Sequence, residues 1–138
     1  MKQTIFFFLL LLFSFMSCEK KPPINIYDTD EFKNLSKKDI IIGESVWVTT
    51  CFRCHTYGNM GAASIYDKEP IDKLAAKGFD ELYKSVTNGM TGQNGVMPPK
   101  GSCYSCSENE IEKSIYYIFH LAKNIQESEK QTNEDGEL

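Results

Sequence analysis

The chain has 138 residues, with 15 Lys and Arg against 19 Asp and Glu, and 41% of it is hydrophobic. That length suits one domain and excludes barrels and two-domain dehydrogenases, while a net charge of −4 without a basic stripe excludes a general nucleic-acid binder. Five Cys beside only two His in so short a chain call for a chemical explanation.

The first segment reads as an address. Lys2 gives a positive start, Ile5 to Phe13 is uninterrupted apolar sequence, and Ser17-Cys18 closes it. The run is too short to cross a hydrocarbon core of ~30 Å as a helix and fits a secretory signal of the lipoprotein type over residues 1–17. Cys18 then becomes the first residue of the mature chain, lipidated there, with Phe15 standing where such signals usually carry Leu. This predicts export to the periplasmic side of a bacterial membrane, held by the lipid. The competing reading is ordinary cleavage near Ser17, leaving Cys18 a loose thiol.

Residues 18–35 combine Pro22-Pro23 with charge and no periodicity, so they are expected to form the anchor and a flexible tether. Ser36 and Asp39 have capping-box form, and Ile42, Val46, Trp47 and Thr50 recur at helical spacing up to Cys51. Residues 56–70 are turn-rich and read as a loop. Short helices are expected over 71–76 and 80–88, stopped by Gly78 and Gly89. Residues 89–102 hold four Gly and two Pro and are expected to lack regular structure. Ser107 and Glu110 form a second capping box, opening a helix whose stripe is Ile111, Ile115, Ile118, Phe119 and Ala122. Residues 126–138 carry five acids against one Lys and are expected to be a disordered acidic tail. The folded part, 36–125, is all helix and loop, and a domain so small needs a staple or a cofactor.

With Cys18 set aside, Cys51, Cys54, Cys103 and Cys106 form two C-x-x-C pairs. The first continues into His55, giving C-x-x-C-H, the attachment sequence of c-type haem. Two thiols one helical turn apart can each reach a haem vinyl group, and the following His projects beneath the macrocycle as an iron ligand. A disulfide, a thioredoxin-like pair and half a zinc site compete, but a redox pair belongs where a strand enters a helix. For the second axial position Met97 leads, because Pro98-Pro99 stiffen the chain immediately after it. Met60 and Met90 read as gap fillers, and His120 as a rival ligand beside Phe119. Cys103 and Cys106 could complete a zinc site, but the gap between the pairs exceeds the usual ~15–20 residues. A disulfide across a tight turn explains them better.

The segments GESVWVTTCFRCH and GVMPPKGSCYSCSENEIEKSIYYIF resemble class I cytochromes c, specifically the cytochrome c5-type group, over roughly residues 38–122. The matching features are Gly43 and Trp47, eight and four residues before the first haem Cys, the run Met97 to Cys106, and Tyr117 on the last helix. The resemblance implies a small all-α fold packed around one covalent haem c. It also implies a crossing of the first and last helices at Gly43 against Tyr117. The implied role is that of a carrier of single electrons between respiratory redox partners, not an enzyme. One departure stands out: Ala63 occupies the position, eight after His55, where the family has the Pro whose carbonyl orients the imidazole. Two other readings remain: a haem subunit of a larger oxidoreductase complex, and a haem peroxidase or gas-binding protein in which Met97 leaves iron open. Arg53 and Lys100 are expected to flank the exposed haem edge and meet partners there.

Overall fold

Local chemistry in a computed structural model of the chain, which describes residues 21–92 and 94–135, begins with caps. The signal over 1–17, Cys18 and the last residues of the expected tail lie outside the described residues. Ser36 Oγ accepts from the Asp39 amide, and the Asp39 carboxylate accepts from the Ser36 amide in return, opening α2 (Lys37–Val46). Ser107 and Glu110 repeat the exchange at the start of α6 (Glu108–Asp135). These two helices cross where Gly43 lies. A Cβ there would stand 2.4 Å from the Lys113 carbonyl oxygen and 2.6 Å from the Tyr117 Cβ, so only Gly permits this approach. Trp47 and Tyr117 fill the flank with ring centroids 6.4 Å apart.

After Val46 the helix widens into a π-helical turn, Trp47–Cys51, and resumes as α3 (Phe52–His55). A 3₁₀ turn follows at Asn59–Gly61, then α4 (Lys68–Ala75) and α5 (Phe79–Asn88), flanked by Gly78 and Gly89. α4 begins three residues earlier than the sequence suggests because Pro70 sits in its first turn, where a missing N–H costs nothing. The Gly-rich stretch that follows contains a minimal antiparallel pair, β1 (Met90–Thr91) and β2 (Val96–Met97), with Met90 opposite Met97. Two residues per strand fall below what periodicity can signal. A 3₁₀ turn at Pro99–Ser102 leads to α6. The architecture is all-α, with Ile71, Ala75, Ile111, Ile115, Tyr116 and Phe119 in one core.

Two expected boundaries need correction. Of the expected tether, 18–35, the described part is not free: Ile26–Asp28 forms a 3₁₀ turn and Asp30–Lys33 forms α1, capped by Thr29. Ile26 is fully buried and Phe32 is 7% exposed. Each apolar residue arrives singly in a short turn, so no periodicity announces it. At the other end α6 continues to Asp135 instead of giving way to disorder at 126. No Gly or Pro interrupts residues 108–135, and a Lys123–Glu127 pair at 3.9 Å bridges the expected boundary.

Candidate haem-binding site

Cys51 ends the π turn and Cys54 lies one turn later in α3, which puts both side chains on one face. Both thiols are unpaired and half-buried. Burial pushes the Cys51 thiol up, so it stays protonated near neutrality. Its Sγ lies 3.4 Å from Thr50 Oγ1, and that hydroxyl donates in turn to the Val46 carbonyl at 2.9 Å.

The imidazole of His55 is held by the loop behind it. Its Nδ1 lies 3.0 Å from the Ala63 carbonyl oxygen. A carbonyl only accepts, so Nδ1 carries the proton and Nε2 keeps its lone pair. Burial pushes the ring below the usual His range, with the Ala63 bond opposing, and the neutral form is the ligating form. The Ala63 peptide oxygen therefore makes the bond associated with the family's Pro. Three more bonds fix the frame. Ile65 N–H donates to the His55 carbonyl at 2.8 Å, Ser64 Oγ donates to the Thr56 carbonyl at 2.9 Å, and Tyr66 N–H donates to Ser64 Oγ at 3.1 Å. Ser64, 4% exposed, went unnoticed in the sequence because a lone Ser in a turn-rich loop carries no periodic signal.

Met97 ends β2, half-buried, with its carbonyl against Gly89, where a Cβ would stand only 2.7 Å away. After Pro98 and Pro99 the backbone turns left-handed at Lys100, Gly101 and Ser102, with φ of 53°, 59° and 72°. Lys100 Nζ donates to the Cys106 carbonyl at 2.8 Å, closing this turn. Cys103 and Cys106 are joined to each other, with Cα atoms 5.4 Å apart, so they do not form a four-sulfur group with Cys51 and Cys54. Gly101 lies beside Thr50, and Gly95 lies directly against the Met60 carbonyl. The methionine-bearing loop is thereby laid across both the turn entering Cys51 and the turn leaving His55.

Other expectations change. Met60 and Met90 are 71% and 42% exposed and fill no core gap. The ammonium of Lys100 is engaged inside its own loop and is not a free surface charge, whereas Phe52 and Arg53 are exposed. His120 pairs with Asn124 at 3.1 Å on the outer part of α6. The donor set of two thiols on one turn and a neutral, oriented imidazole fits a covalently attached haem. Among the described residues, no group of three or more His, Cys, Asp or Glu is placed to hold a metal ion by itself.

Residues 38–118 match the family model described as cytochrome c oxidase, cbb3-type, subunit III. The chain belongs to the cytochrome c family. Cytochrome c-555 of Chlorobaculum tepidum is 27% identical over 85 residues, covering 62% of this chain and 79% of that protein. Cytochrome c5 of Ectopseudomonas mendocina is 35% identical over 69 residues, covering 47% of this chain and 72% of that protein. A solved structure, the electron transfer complex of nitrite reductase with cytochrome c, contains a chain that superposes with a TM-score of 0.52. It is 27% identical and covers 59% of this chain and 94% of that one. This is a class I c-type cytochrome with one covalently bound haem c, an electron-transfer protein and not an enzyme.

Proposed function

We propose that this cytochrome carries single electrons between respiratory redox proteins, with Cys51 and Cys54 as the thioether residues and His55 and Met97 as the axial ligands. Cys18 bears the lipid that holds it on the periplasmic side of a bacterial membrane. The observation that carries the ligation is the bond from His55 Nδ1 to the Ala63 carbonyl at 3.0 Å, which leaves Nε2 free to ligate. When bound, the haem supplies a one-electron ferric–ferrous couple. The chain's residues do the rest. Cys51 and Cys54 hold the group on one turn, and the Ala63–Ile65 frame keeps the imidazole from rotating. The rigid run after Met97 lets a soft thioether be presented with little entropic loss, and such a ligand favours the reduced state. Two stable ligands leave no open position for substrate, which suits transfer over catalysis.

The complex of nitrite reductase with a similar cytochrome c supports redox proteins as partners, and the exposed Phe52 and Arg53 beside the haem cysteines suit such contact. The family model's own description favours one second reading, a haem subunit of a larger oxidoreductase complex.

Met97→Ala is the deciding experiment. It is expected to remove the low-spin methionine spectrum and let the ferrous protein bind carbon monoxide, while the haem stays attached through denaturation. An unchanged spectrum would assign the sixth position to His120 or another side chain. Carbon monoxide binding by the wild type would favour the peroxidase or gas-binding reading.

A further inference from the structure

The stretch expected to be slack is a strap laid on the domain. Tyr27 meets Phe32 and Phe119 edge-on, with centroids 5.3 and 5.8 Å away. The packing reaches back to Pro23. A Cβ on Gly78 would stand 2.9 Å from the Pro23 Cβ and 3.0 Å from the Ile24 carbonyl oxygen, so the strap begins against the N-terminal end of α5. The Met97 loop occupies the other end of that helix. Gly89, just past Asn88, is in contact with the Met97 carbonyl and Pro99. The 10 residues of α5 at 1.5 Å each separate the two ends by about 15 Å. The long helix gives the same order: it starts beside the disulfide, reaches Phe79 at Tyr116 (centroids 4.9 Å apart) and only then Tyr27 at Phe119.

We infer that the strap sets the orientation of the domain on a lipid surface, with the Gly78 end held against the bilayer and the Met97–Ser102 loop pointing away from it. This rests on the lipidation of Cys18 proposed above. Only residues 19–22 separate Cys18 from Pro23, a link that spans at most about 18 Å when fully stretched and roughly 12 Å as a random coil. Inverting the domain would lift Pro23 about 15 Å off the surface and leave that link near its limit. An eighteen-residue tether would impose no such restriction. The end so presented carries Pro22, Pro23 and Ile24, all exposed and apolar, Ile24 at 56%, which suits contact with the boundary of a bilayer. Partners then reach the methionine loop from the aqueous side. They are proteins whose redox centre stands clear of the membrane.

The test is hydrogen exchange on the full-length, lipidated holoprotein bound to phosphatidylcholine vesicles, against the soluble Cys18→Ser holoprotein. Exchange is expected to slow several-fold at residues 24–29 and 76–80 on vesicles and to be unchanged at 96–106. A flexible twenty-residue insertion between Lys21 and Pro22 is expected to abolish that slowing while the protein still sediments with the vesicles. Slowing at 96–106, or sedimentation with no segment slowed, would overturn the orientation and leave the lipid intact. Wild-type protein that fails to sediment would overturn the lipid reading, and the orientation with it.

Discussion

A single hydrogen atom in place of a side chain decides how α2 and α6 meet. The Cβ of Gly43→Ala would fall 2.4 Å from the Lys113 carbonyl oxygen, a backbone atom that cannot swing aside. The helices would have to part, drawing Trp47 away from Tyr117 and disturbing the turn that presents Cys51. Gly43→Ala is expected to lower holoprotein stability by about 1–3 kcal/mol, seen as a lower denaturant midpoint with unchanged slope. A midpoint equal to wild type would mean that the crossing can relax freely. At the same scale, Ala63 shows why a family departure can be silent: the bond to His55 Nδ1 comes from the peptide oxygen, which any residue supplies.

At the scale of elements, two capping boxes and one strained loop do most of the placing. In both boxes the carboxylate is pulled below its usual range, Asp39 chiefly by the Ser36 side chain and Glu110 chiefly by the Ser107 backbone N–H. Lowered folded-state values mean that the stabilisation is present above the ordinary carboxylate range and is lost as pH falls through the folded values. Glu110→Gln removes the titrating charge at the α6 start, so the variant is expected to lose less stability than wild type on acidification. Melting curves across the acid limb measure this; parallel limbs would show that Glu110 does not contribute. The Pro99–Ser102 turn depends on Lys100, whose ammonium ties the loop to the Cys106 carbonyl. A cation that reads as surface charge in the sequence is here a structural brace.

For the whole molecule, the N-terminal strap is part of the core, with Phe32 against Tyr27 and beneath Lys123, whose Nζ lies 5.8 Å from the ring centroid. Phe32→Ala is expected to cost about 3–5 kcal/mol, measured by denaturant unfolding of the holoprotein. A cost near zero would restore the free-tether reading. The same strap explains how so short a chain builds enough core, since it covers the α6 face at Phe119 and the N-terminal end of α5 that would otherwise be wet.

What the residues determined alone was whatever rests on covalent spacing and local caps. The C-x-x-C-H turn, the two capping boxes, the stripe of α6 and the stiff run after Met97 depend on neighbours a few positions apart, so they are legible along the chain. Gly43 facing Tyr117 was legible only through family resemblance, since nothing local marks a crossing point. Tertiary structure decided what depends on residues distant in sequence. It turned Ile26 and Phe32 from linker into core, committed Lys100 to a carbonyl, and bound Ser64 to the Thr56 carbonyl beside His55. It also placed the strap and the methionine loop at opposite ends of one helix. Burial and hydrogen-bond partnership are properties of the packed chain, and an isolated Ile, Lys or Ser gives no sign of which partner folding will bring to it.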